Sequence, residues 1–93
     1  MRQTVALNAR TSPGTLRILA GEGNASTRAA VARNRTTPRD LLADLSTDTA
    51  QHTRIYVAQN PATHTYVLVA RLLHEADPVV RTYLQRALAQ RAG

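Results

Sequence analysis

Arg33, Arg35 and Arg39 crowd into one short stretch of this chain, and Arg10 lies further upstream. Guanidinium forks bond phosphate or carboxylate oxygens in pairs, so these four residues suit an anionic partner, either nucleic acid phosphate or an acidic protein. The same charges would also serve as a solvated edge that keeps the protein soluble. Other reactive side chains offer less. His52, His64 and His74 have no metal-ligand spacing and read as surface or loop histidines. Gly21 and Gly23 are too few for a phosphate cradle. Asp40 and Asp44 lie four apart and share one helix face, where Arg39 nearby makes them solvated charge rather than an acid–base pair. Cysteine is absent, which excludes disulfides, thiolate metal sites and cysteine nucleophiles. The expectation is a protein that is not an enzyme and carries no cofactor or metal.

What positions these residues is a repeat. Arg2, Arg28 and Arg54 recur every 26 residues, as do Val5, Val31 and Val57, and Ala6, Ala32 and Ala58. Asn8, Asn34 and Asn60, then Thr11, Thr37 and Thr63, then Leu16, Leu42 and Leu68 keep the same period. A fixed period of this size marks an array in which each unit buries its apolar face by stacking on the next. With 93 residues the chain makes one domain, 1–93, with a modest core. Tyr56, Tyr66 and Tyr83 are its only aromatics, so Leu, Val and Ala must fill that core, as suits close helix packing.

The second unit is the plainest. Residues 27–34 read as a short Ala-rich helix stopped by Asn34, a residue that tolerates the left-handed conformation at a helix end. Thr37 then looks like an N-cap with Pro38 at the first helical position, and Thr11 and Thr63 hold the equivalent places. Leu41, Leu42 and Leu45 form the apolar stripe of a second helix. Thr15, Leu16 and Leu19 repeat that stripe in the first unit, and Val67, Leu68 and Leu72 in the third. The repeats run over about 2–27, 28–53 and 54–80, followed by a closing helix over about 78–91 with Asp77 as its cap. Gln3 and Thr4 put polar side chains where later units have apolar ones, as fits an exposed first layer. The fold class expected is all-α, a short right-handed α-solenoid. Tyr56 and Tyr83 occupy matching positions and are expected to pack between layers, whereas Tyr66, near the start of a second-type helix, is a candidate anchor for a partner.

The segments Val31-Ala32-Arg33-Asn34-Arg35-Thr36-Thr37-Pro38 and Val57-Ala58-Gln59-Asn60-Pro61-Ala62-Thr63 resemble leucine-rich repeat variants, a bacterial α-solenoid family. The resemblance covers nearly the whole chain and implies a fold, not an activity. That family's cysteine-rich cluster-binding segment has no counterpart here. A second likeness is to HEAT-like repeats: Glu22, Asp48 and Glu75 each precede an arginine, Arg28, Arg54 and Arg81, by six residues. Such acid and arginine positions imply a structural ladder between neighbouring units, in which a planar fork bonds a carboxylate and a helix-terminal carbonyl together.

Net charge is +6 and every basic residue is arginine, a bias consistent with a GC-rich bacterial genome. The excess lies outside the ladder. No signal core or apolar span is evident, so the expectation is a cytoplasmic protein without a membrane partner. The favoured function is an adaptor or scaffold that binds another protein through its stacked helices. The alternative is a nucleic-acid-binding module using Arg10, Arg33, Arg35 and Arg39, and self-association through the ends of the array is a third possibility.

Overall fold

The computed structural model describes the backbone of residues 2–92 and the side chains of residues 4–92. The side chains of Arg2 and Gln3, which the sequence places in the ladder row and the exposed first layer, lie outside the described residues. The described chain is all-helical: α1 (Arg2–Leu7), α2 (Pro13–Ala20), α3 (Ala25–Arg33), α4 (Arg39–Leu45), α5 (Gln51–Gln59), α6 (Thr65–His74) and α7 (Pro78–Ala92). The odd-numbered helices form one layer, packed in the order α1, α3, α5, α7. Against it lie the even helices, α2 on α1 and α3, α4 on α3 and α5, and α6 on α7.

The apolar stripes read from the sequence face inward. Leu16, Leu42 and Leu68 are fully buried, with Leu19, Leu41, Leu45 and Val67 beside them. Ala6, Ala32 and Ala58 are buried where adjacent odd helices meet, and small side chains there let the backbones approach closely. Val31 and Val57 are buried but Val5, at the outer edge of the first layer, is 45% exposed. Thr4 is exposed as well. α7 begins where expected: Asp77 accepts from the Val79 and Val80 N–H groups at its start.

Two local expectations need correction. Asn34 and Asn60 do end α3 and α5, but with extended backbones at φ −72° and −76°. No described non-glycine residue has positive φ. The extended form wins because it swings the amide towards the preceding layer. Asn34 Nδ2 donates to the Ala6 and Asn8 carbonyls at 2.7 and 3.0 Å, and Asn60 Nδ2 donates to those of Ala32 and Asn34 at 2.8 and 2.9 Å. Their Oδ1 atoms accept from the Thr36 and Ala62 N–H groups, which shapes the turn. The carbonyls left over at one helix end are thus satisfied by the next layer's asparagine.

The second correction concerns the threonines. Thr11, Thr37 and Thr63 are not N-caps; those positions belong to Ser12, Pro38 and His64, and α4 starts at Arg39, one residue after Pro38. Each threonine hydroxyl instead donates backwards, to the carbonyl of Val5, Val31 or Val57. Closing the helix just finished satisfies a carbonyl at its end, and the next helix takes a side-chain cap from Ser12 in the first unit and His64 in the third, while Pro38 supplies none in the second.

Two buried threonines ten positions apart should therefore respond oppositely to the same substitution. Thr63→Val removes a 2.7 Å bond from a buried site and should cost about 1–2 kcal/mol in urea unfolding. The Thr53 hydroxyl is fully buried and has no hydrogen-bond partner, as is true of Thr27 one period earlier. One period later the position is Val80, also fully buried. Thr53→Val should raise stability by about 1 kcal/mol, since it removes an unpaired polar group without changing shape.

Candidate binding face

Three sets of arginines follow from this architecture. The first links layers along one edge. Arg28 bonds the Asp48 carboxylate through Nε and Nη2 at 2.7 and 3.3 Å, and its Nη1 donates to the Glu22 backbone carbonyl. Arg54 repeats this with Glu75, at 3.0 and 3.4 Å, and with the Asp48 carbonyl at 2.8 Å. Arg81 donates to the Leu72 and Glu75 carbonyls. In each case the acid six residues ahead gives its carbonyl, while for Arg28 and Arg54 the carboxylate comes from the next loop along. Asp48 also accepts from the Ala50 N–H. Burial alone would raise the Asp48 carboxyl above its usual range, but the bond from Arg28, the Ala50 N–H and the nearby guanidinium charges outweigh it and hold it below.

A second set ties off other positions. Arg17 on α2 pairs with Asp40 on α4 at 2.9 and 3.0 Å, both side chains well exposed. Arg71 adds an ion pair to Glu75 at 3.3 Å. Arg91 on α7 donates to the carbonyls of Asn60, Pro61 and Thr63, taking on the last layer the role that asparagine plays on the others.

The remaining cations have no carboxylate partner among the described residues: Arg10, Arg33, Arg35, Arg39 and Arg86. Arg33 and Arg35 come together. They line a shallow cleft with Tyr56, Gln59 and Pro61, about 230 Å³ in volume. A second cleft of about 330 Å³ adjoins it, sharing Arg33 and Tyr56 and otherwise walled by Leu7, Ser26, Ala29 and His52. Arg10 and Arg39 are exposed but line neither cleft. Tyr66 is 63% exposed and tilted against His64 at 4.5 Å between ring centres. It belongs to α6 and faces a groove against α4, lined by Ala43, Ala70 and His74, away from the clefts of the odd helices.

Two of these five arginines lie over aromatic rings. The Arg33 guanidinium lies over the Tyr56 ring, 5.1 Å from its centre, and Arg86 lies over Tyr83 at 5.6 Å. Both tyrosines are half-buried, packed against the core and lining clefts of the odd helices. A plainer signal was available. The odd helices contain no Asp or Glu at all: Asp40 and Asp44 are on α4, and Glu22, Asp48, Glu75 and Asp77 are in loops. The surface of the odd helices therefore carries cations and tyrosines, with no carboxylate in the two clefts above or in a third lined by Ala58, Gln59, Tyr83 and Arg86. No helix among the described residues is long and apolar enough to cross a membrane. No family model, curated protein or solved structure matches this chain.

Proposed function

We propose that the chain is a non-enzymatic protein-interaction module, an adaptor that binds a partner protein across the face of its odd helices. On this reading it is a short right-handed α-solenoid of three helix pairs and a closing helix, akin to leucine-rich repeat variants and HEAT-like repeats, and acts in a bacterial cytoplasm. The recurrence of the asparagine, threonine and arginine bonds from layer to layer supports the solenoid. The observation that carries the binding role is the acid-free face itself. Its clefts combine unpaired arginine with half-buried tyrosine, two residue types that interface centres favour.

A nucleic-acid module is the second reading, favoured by the same charge. Gln59 counts against it: it occupies the register position of Arg33 and Arg86 and interrupts what would be a continuous phosphate track.

Selection of a displayed random-peptide library on the immobilised protein tests the module. Recovered peptides should bind about tenfold more weakly to Ala29→Glu, which puts a carboxylate in the acid-free cleft, and equally well to Tyr66→Ser on α6. Loss with Tyr66→Ser alone would move the site to the even helices. A library that returns no binder would remove the adaptor reading.

A further inference from the structure

We infer that the two clefts sharing Arg33 and Tyr56 form one bipartite site for an extended peptide in which apolar side chains alternate with carboxylates. The inference rests on the protein-binding reading above and specifies the partner's chemistry.

The acidic half is the cleft of Arg33, Arg35, Tyr56, Gln59 and Pro61. Contact with the Tyr56 ring restrains the Arg33 guanidinium, whose N–H groups meet no carboxylate among the described residues. Arg33 also sits in the last turn of α3, where a cation offsets the negative helix end. A fork held this way loses less side-chain freedom on binding than a solvated one. Arg35, exposed and without a carboxylate partner, is the second fork.

The apolar half is the adjoining cleft. Leu7, Ala25, Ala29, Ala30 and Ala50 line it, with Ser26 and His52 as polar members beside the shared Arg33 and Tyr56. Nothing charged other than Arg33, and no acid, lines it. An aliphatic side chain entering there buries apolar surface against alanine without leaving a buried charge unpaired. A nucleotide fits less well. Arg33 already covers the Tyr56 ring that a base would stack on.

The test is fluorescence anisotropy with a labelled dodecapeptide of alternating leucine and glutamate. Its glutamine-for-glutamate and serine-for-leucine analogues and a labelled oligothymidylate run alongside. The protein is used intact, as the unmodified chain and as Arg33→Gln, Arg35→Gln and Arg17→Gln. Arg17→Gln changes net charge as much as the others do but lies on α2. Thermal unfolding of each variant establishes that it is folded. The parent peptide should bind, both analogues should bind less well, and Arg33→Gln should weaken binding about tenfold while Arg17→Gln leaves it unchanged. Equal loss in Arg17→Gln and Arg33→Gln would mean unspecific charge attraction and overturn the site. So would full binding of the glutamine analogue. Tighter binding of oligothymidylate with the same dependence on Arg33 would overturn it in favour of nucleic acid. Library binders that map to the odd helices but carry no excess of carboxylates would overturn this inference and leave the module standing. Absence of any binder in both experiments takes both down.

Discussion

Asn60→Ala should lower stability by about 3–4 kcal/mol, because one small side chain serves three buried backbone groups. Its Nδ2 supplies both the Ala32 and Asn34 carbonyls, and its Oδ1 takes the Ala62 N–H at 2.9 Å. Alanine removes all three bonds and admits no compensating group, since Asn60 is 3% exposed. For a domain of this length the melting temperature should fall by roughly 15–20 °C. Asn60→Asp keeps the shape and the acceptor but aims a carboxylate oxygen at two carbonyls, so it should be at least as damaging. Asn8→Ala is the contrast. Asn8 holds the same register position in the first layer and is exposed, and among the described residues its side chain accepts only the Arg10 N–H, so its loss should cost a few tenths of a kcal/mol. Urea unfolding of the three variants checks this. A small effect at Asn60 would mean that the layers are held by apolar packing and that the asparagine row adds little.

The same asparagines show how much of the molecule was legible in its sequence. The period identified which residues occupy equivalent places, and an apolar stripe at helical spacing can face only one way. Leu16, Leu42 and Leu68 are accordingly buried together. The acid–arginine offset also had a physical meaning, but the offset of six marks a carbonyl bond. The carboxylate partner comes from a loop one period on, through contacts such as Arg28 to Asp48. A period says which residues stack and leaves open how far each layer is turned or shifted against the last. That angle decides whether Arg33 meets Tyr56, 23 positions away, and no spacing in the sequence announces it. The threonines were misplaced for a related reason. A hydroxyl between two helices can close the first or open the second, and local sequence supports either. The geometry chooses the buried carbonyl, which is the more expensive group to leave unpaired.

Arg54→Met should cost about 2–3 kcal/mol, because it takes from a buried carboxylate the arginine that bonds both of its oxygens. Glu75 is 6% exposed and takes two bonds from Arg54, at 3.0 and 3.4 Å, and one from the Asp77 N–H at 3.1 Å, with Arg71 at 3.3 Å as its second cation. The double variant Arg54→Met/Glu75→Leu should recover much of the loss, since the cost comes from an unpaired charge rather than from a missing attraction. Arg17→Met tests that logic from the other side. Arg17 and Asp40 meet with equally good fork geometry, yet in solvent, and their separation should leave the urea midpoint almost unchanged. The ladder also predicts the sign of the acid response. Asp48 is held below its usual range in the folded chain, so the unfolded chain binds the proton more readily. Its contribution is complete at neutral pH and is lost as pH falls below about 4 and on through the folded value. Urea midpoints followed from pH 7 to pH 3 should drop with a shallower slope in Asp48→Asn than in the unmodified chain. An unchanged slope would assign the acid response to the other lowered carboxyls, Asp40 and Asp77, and would reduce the Arg28 rung to a contact without a share in acid stability.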